Sequence, residues 1–312
     1  MEEDKSRILV IGATGRLGRE LVKSSVDLGH RTFALIREPT FSDPNKSQLL
    51  QSFSLNGVTL LKGSLNDYSS LLDAVKRVDA VVCAVPSKHV LDQKLLIQAI
   101  KEAGCIKRFI PSEFGADPDK VQICNMDYGF YEKKAEIRRL IETEQIPYTF
   151  VSCNLLMRIL LPSLVQPGVN SPPRDKLQIF GDGNTKGLSK AVFVKECDVA
   201  AYTISTIDDS RTLNKVLYLR PPGNVVSMNE LAEMWESKIG KKLEKVYISE
   251  QHLLKTIQDT AYPSNMELIF IYSIFIKGDH TYFSIESCGL DGTELYPHVK
   301  HITVSKFLDT LL

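Results

Sequence analysis

The sequence predicts an α/β protein, a doubly wound parallel sheet followed by a second, smaller α/β domain. Three observations predict it: short apolar runs alternate with helical patterns from Arg7 onward, a glycine-spaced turn joins the first run to the first helix, and the texture changes after Asn154. Parallel neighbours need a crossover, and helices on both faces bury the strands, so the runs are continuously apolar.

The elements follow in order. "RILVIG" is the first strand, with a helix running on to Gly29; "TFALI" is the second, again followed by a helix. "VTLLKG" is the third, with a helix from Tyr68; "DAVVCAV" is the fourth, with a helix over 89–103; "KRFIPS" is the fifth. "YTFVSC", 148–153, is the sixth. Strands of this length separated by helical stretches are the βαβ pattern. The Pro- and Gly-rich "QPGVNSPPRDK" then marks a boundary, giving domains 1–153 and 154–312, with part of the second segment able to return to the first sheet. Helices are expected there at 195–207, 228–239, 249–258 and 304–311.

The totals exclude several function classes. The chain has 312 residues, 43% hydrophobic and 24% charged, so it can bury a substantial core. Its 38 Lys and Arg balance 38 Asp and Glu, so no net field draws it to nucleic acid or to an anionic membrane. Small neutral ligands are the natural expectation. The six cysteines (Cys83, Cys105, Cys124, Cys153, Cys197 and Cys288) form no C-x-x-C pair, and the six histidines form no ligand set, so no metal is expected. The polar start "MEEDKSR" resembles no targeting peptide, and the apolar run 268–276 is about half the length of a membrane span. A reduced, cytoplasmic compartment is the expectation.

"VIGATGRLGRE" supplies the first functional signal. Gly12, Gly15 and Gly18 are spaced G-x-x-G-x-x-G between a strand and a helix, where the chain must turn tightly and approach a pyrophosphate closely. The backbone N–H groups of residues Gly12, Ala13, Thr14, Gly15, Arg16, Leu17 and Gly18 are then the anion cradle of a Rossmann dinucleotide fold. Arg37 ends the second strand, 25 residues after Gly12, where the adenine ribose is read. A carboxylate there suits NAD, whereas a guanidinium suits a 2′-phosphate, so NADPH is favoured. Lys46 offers a second cation for that phosphate, although a loop lysine is also an ordinary solvated group; Glu38 argues mildly the other way.

Chemistry should sit at the carboxyl ends of the strands: at 84–87, at "PSEFG" (111–115), on the helix "FYEKKAEIRR" (130–139), or at 154–157. A tyrosine acid with a lysine four residues on is absent, since Glu132 follows Tyr128 and Ala135 follows Tyr131 at that spacing. Lys134 and Arg138 do share one helical face at i, i+4. A lysine beside an arginine, and partly desolvated by a nicotinamide, would have a lowered pKa and act as general base. On pattern alone the same run reads first as a solvated face.

Together "GATGRLG", Arg37 with "SDPNK", "IKRFIPSEFG", "EKKAEIRRLIE", "IPYTFVS", "IFGDGN", "DDSRTLNK", "KGDHTYF" and "ELYPHVK" resemble the plant isoflavone reductase-like family of NmrA-like reductases. The resemblance runs over nearly the whole chain and is nearest the pinoresinol–lariciresinol reductase-like branch. It implies an NADPH-dependent reductase with a cofactor domain, a smaller substrate domain, a small phenolic substrate and, in many members, a homodimer. It places the phosphate loop on residues 12–18, the 2′-phosphate contacts on Arg37 and Lys46, the catalytic lysine on Lys134 and a cofactor-contacting arginine on Arg138.

The mechanism so implied begins with Lys134 taking the proton of a para-phenol. The phenolate opens a benzylic ether to a quinone methide, which accepts hydride from NADPH. Tyr272 replaces a histidine reported to contact substrate in many relatives, and His280 is a second candidate pocket residue. Ala116 and Tyr282 also depart from the family pattern. Phenylcoumaran benzylic ether reduction and isoflavone reduction are the alternatives within the family. A non-catalytic NADP-binding redox sensor is the alternative outside catalysis, disfavoured because a sensor needs no general base.

Overall fold

In the computed structural model, which describes residues 5–123, 125–183 and 189–312, β1 (Ile8–Ile11) lies at the centre of a parallel sheet. It is flanked by β2 (Thr32–Ile36) and β4 (Ala80–Cys83), with β3 (Thr59–Lys62) and β5 (Arg108–Ile110) at the edges, giving the order β3-β2-β1-β4-β5. Ile8 stands level with Thr32 and Ala80, and every pairing is parallel. Every residue of β1, β2 and β4 is buried, as continuous apolar runs require when helices cover both faces.

The connecting helices are α1 (Arg16–Asp27), a short α2 (Glu38–Phe41), α3 (Pro44–Leu55), α4 (Tyr68–Val75), α5 (Gln93–Ala103) and α6 (Phe130–Thr143). α1 forms because Leu17, Leu21, Val22 and Ser25 recur at helical spacing and bury one stripe; each large apolar member contributes roughly 1.5–3 kcal/mol. Leu9, Ile11, Phe33, Leu35, Val81, Cys83 and Phe109 point into one core with residues of α4, α5 and α6. The alternate strand residues face the other way, by the two-residue period of a strand.

β6 (Thr149–Ser152) adjoins β5 through a parallel bridge between Phe109 and Tyr148, and β10 (Lys215–Tyr218) lies beside β6. Before β10 come β7 (Leu155–Leu156), β8 (Lys176–Phe180), β9 (Ala191–Val194) and α7 (Glu196–Ser205). Arg108, 4% exposed, joins this edge: its guanidinium donates to Thr149, to Thr212 Oγ1 at 2.9 Å and to the Asp209 carbonyl at 3.0 Å.

The chain divides into two units, and a single cut at 153 does not separate them. Unit 1 is Met1–Phe114, Glu132–Val151 and Glu196–Leu217; unit 2 is Gly115–Tyr131, Ser152–Lys195 and Tyr218–Leu312. The helix expected at 195–207 is α7, and it packs on α1 in unit 1. The chain leaves the first unit after Val151, ahead of the Pro-rich segment, and returns to it with α7. Unit 2, expected to be smaller, holds an equal share of the chain.

Within unit 2, β9 pairs parallel with β7 and antiparallel with β11 (Val225–Val226), and β8 pairs parallel with β12 (Glu244–Ile248). α8 spans Met228–Ile239 as expected, begun by a capping box in which Ser227 and Glu230 exchange side-chain and backbone bonds. Its Trp235 is fully buried and donates to the Pro173 carbonyl at 2.8 Å. α9 is Glu250–Asp259, α10 is Met266–Ile271 running into a π-helical turn Tyr272–Ile276, and β13 (Leu290–Asp291), α11 (Gly292–Leu295) and α12 (Val304–Leu308) complete the unit.

The helix expected at 89–103 is split: a 3-10 turn covers Ser87–His89 and α5 starts at Gln93. Asp92 accepts from His89 Nδ1 at 2.7 Å instead of capping α5. Among the described residues no helix is long and apolar enough to cross a membrane, and no cluster of His, Cys, Asp and Glu could hold a metal. Cys124 and the Asn184 that ends "IFGDGN" lie outside the described residues.

Candidate active site

The glycine loop closes tightly after β1. Gly12 has φ +82°, and a Cβ there would stand 2.2 Å from the Ala84 carbonyl oxygen; a Cβ on Gly18 would stand 2.0 Å from the carbonyl oxygen of Gly12. Neither position admits a side chain, so β1, the turn and α1 approach one another as a dinucleotide loop requires. Gly15 N donates to Gly12 O at 2.9 Å, and α1 begins at Gly15 with no side-chain cap and no acidic residue in its first turn. An uncapped N-terminus of this kind suits a pyrophosphate.

A cavity of about 430 Å³ opens beside this loop, wholly within unit 1. Gly12, Thr14, Gly15, Arg37 and Lys46 line it, so two of the predicted cations border the same cavity. Ala13, Leu17 and Gly18 are buried, and Arg16 is exposed outside the lining. The residues fit NADPH: glycine backbone for the diphosphate, two cations for the 2′-phosphate. Sequence reasoning missed the wall formed by Gly63–Asn66 after β3, and by Lys88, His89 and Asp92 after β4. Their signal was positional, since each segment follows the carboxyl end of a sheet strand.

α6 carries the candidate general base. Tyr131, Lys134, Ile137, Arg138 and Ile141 are buried, whereas Glu132, Lys133, Glu136 and Arg139 are exposed. Two cations therefore lie on the apolar stripe, Lys134 only 6% and Arg138 only 1% exposed. Lys134 Nζ donates to the backbone carbonyl of Glu113 at 2.7 Å. Arg138 Nε donates to Glu113 Oε2 at 2.9 Å, its Nη2 donates to Oε1, and its guanidinium lies 4.7 Å from the Phe150 ring centroid. Arg138 is not among the residues lining that cavity, and it binds the loop after β5, as a buried guanidinium needs a carboxylate. Glu113 itself was not singled out from "PSEFG".

That loop is anchored from both sides. Ser112 N donates to Gln93 Oε1 at 2.7 Å, Ser112 Oγ to the Val85 carbonyl at 2.9 Å, and Val85 N to Ser112 Oγ at 2.9 Å. The carboxyl ends of β4 and β5 are thereby locked together, with Gln93 fully buried between them. The sulfur of Cys83, at the end of β4, is held as a thiol because burial strongly disfavours its thiolate.

The two candidate substrate residues lie in unit 2. Tyr272, 7% exposed, donates its hydroxyl to Glu250 at 3.0 Å, and burial followed by that carboxylate raises its pKa. His280, 1% exposed, accepts from Val192 N through Nδ1 at 3.1 Å, and burial drives its pKa down to about 3. His280 is therefore a neutral interior ring that satisfies β9, which corrects its expected place on a pocket wall.

The NmrA-like family model matches residues 4–308. The chain is 64% identical to the probable pinoresinol-lariciresinol reductase 3 of Arabidopsis thaliana, over 100% of this chain and 99% of that one. It is 53% identical to the phenylcoumaran benzylic ether reductase IRL1 of Ginkgo biloba, over 98% of both. Among solved structures, AtPrR2 with NADP+ and (+)pinoresinol superposes with a TM-score of 0.92 at 38% identity, covering 99% of each chain.

Proposed function

This chain belongs to the NmrA-like family, and from that premise we propose that it reduces a plant phenylpropanoid of the pinoresinol–lariciresinol type at a benzylic carbon. It is an NADPH-dependent oxidoreductase. Arg37 and Lys46, which line the cavity beside the glycine loop, would hold the 2′-phosphate. Five cysteines are free among the described residues, in keeping with a cytoplasmic location.

One observation carries the catalytic reading: a lysine on a buried helix stripe, fixed by a hydrogen bond at 2.7 Å to the loop that ends β5. An amine so placed accepts the proton of a para-phenol. The phenolate oxygen becomes a carbonyl, the benzylic C–O bond breaks, and its electron pair leaves on the ether oxygen, which takes a proton from water. The resulting quinone methide is electrophilic at the benzylic carbon. NADPH supplies the hydride when bound. The aromatic ring is restored as that carbon accepts it, and Lys134 returns its proton to the phenolate.

The same proton step serves phenylcoumaran ring opening, and the 53% identity to a benzylic ether reductase favours it as the second reading. The deciding experiment follows NADPH absorbance and products with pinoresinol, lariciresinol, dehydrodiconiferyl alcohol and a 2′-hydroxyisoflavone. Turnover of the first two supports the proposal, and turnover of the third alone supports the second reading. NADPH binding without turnover on any substrate would favour a redox sensor and overturn both.

A further inference from the structure

Two buried cations on α6 both bond Glu113. Glu113 presents its backbone carbonyl to Lys134 and both oxygens of its carboxylate to Arg138. We propose that Glu113 is a positioning residue for the reaction: its carbonyl sets where Lys134 Nζ sits, and Arg138 neutralises its carboxylate so that the lysine faces no uncompensated negative charge. The inference rests on Lys134 being the proton acceptor.

The physical argument is one of charge. An amine accepts a proton only in its neutral form, and a nearby unpaired carboxylate favours the ammonium, by roughly one to three pKa units at 4–6 Å. A carbonyl instead takes one N–H of a neutral amine and leaves the lone pair for the phenol. The two-point bond of Arg138, with Phe150 under the guanidinium, balances the acid's charge in a fixed geometry. The carbonyl is fixed as well. Ser112, its neighbour, is held by Gln93 and Val85, and Phe114 turns the chain at φ +27°, which a phenylalanine adopts only when its surroundings impose it.

Other charges on the surrounding elements of unit 1 pair elsewhere or face solvent or the cavity. On α6, Glu136 pairs with Lys94 of α5 and Arg139 with Glu142 at 2.9 Å, while Glu132 and Lys133 are exposed. Arg108 of β5 binds Thr149, Thr212 and Asp209, and His89 after β4 binds Asp92 at 2.7 Å. Lys88 after β4 lines the dinucleotide cavity. The pair Glu113 and Arg138 is thus the setting that substitution can unbalance without disturbing these contacts.

The test is an NMR titration of side-chain amines in 15N-lysine-labelled full chain without ligands, the Lys134 signal being assigned by its loss in Lys134→Ala. Glu113→Gln keeps the carbonyl and leaves Arg138 unbalanced, so the Lys134 midpoint falls by about one unit. Arg138→Met exposes the lysine to the carboxylate, so the midpoint rises by about one unit. The double variant removes both charges and returns towards wild type. If Arg138→Met does not fold, Glu113→Gln and the charge-balanced double variant still decide the matter. An unmoved midpoint in Glu113→Gln, or a double variant displaced as far as the single, overturns the proposal. Full turnover by Lys134→Ala would instead sink the catalytic reading, so the two failures are distinguishable.

Discussion

Lys134 Nζ and the Glu113 carbonyl oxygen stand 2.7 Å apart, although the residues are 21 positions apart in the chain. The bond ties the loop after β5 to α6 and converts a charged helix position into a buried, oriented amine. The proposed proton transfer depends on that relationship.

Arg37→Ala should weaken NADPH binding by at least about tenfold and leave NADH binding within about twofold, because the guanidinium is proposed to pair with the 2′-phosphate that NADH lacks. Lys46→Ala should act in the same direction with a smaller effect. Dissociation constants from nicotinamide fluorescence check both, and equal losses for the two cofactors would refute the assignment.

Gly18→Ala should weaken either dinucleotide by more than about tenfold and cost roughly 1–3 kcal/mol of stability, the range for overpacking. The added methyl would meet the Gly12 carbonyl oxygen at 2.0 Å, and no flexible side chain is there to yield. Calorimetry with and without NADPH separates the two effects.

His280 carries a pH prediction with a definite sign. Its folded pKa is depressed to about 3 by burial, below the unfolded value near 6.5, so it stays neutral in the folded chain while the unfolded chain takes up a proton. Its contribution is fully present above pH 6.5 and is lost as pH falls towards 3, with a slope on the order of 1.4 kcal/mol per pH unit. His280→Asn, whose side-chain oxygen can accept from Val192 N, should show a shallower loss of urea stability between pH 6 and pH 4. Parallel curves for the two proteins would contradict it.

Ser227→Ala should cost about 1 kcal/mol by removing the α8 capping box, with NADPH affinity unchanged. Thermal unfolding and a cofactor titration together check this.

The sequence made legible whatever is local. Continuous apolar runs predict β1, β2 and β4, and the glycine spacing predicts the turn before α1, since both follow from backbone sterics and burial within a few residues. The i, i+4 spacing put Lys134 and Arg138 on one face, but it could not say that this face is buried. Glu113 escaped notice because its partner lies 25 positions away and no local pattern announces a buried ion pair. The same reason left open which element of the second segment returns to the first unit, and hid the interior place of His280. Such features depend on which surfaces meet after folding, and only the structure brings those together.

The most direct test of the central claim is turnover by Lys134→Ala with saturating NADPH and pinoresinol, alongside its NADPH dissociation constant. The account predicts a loss of about 100-fold or more in kcat, in the range for removing a general base, with NADPH affinity within about threefold of wild type. Unchanged kcat at full NADPH occupancy would contradict it.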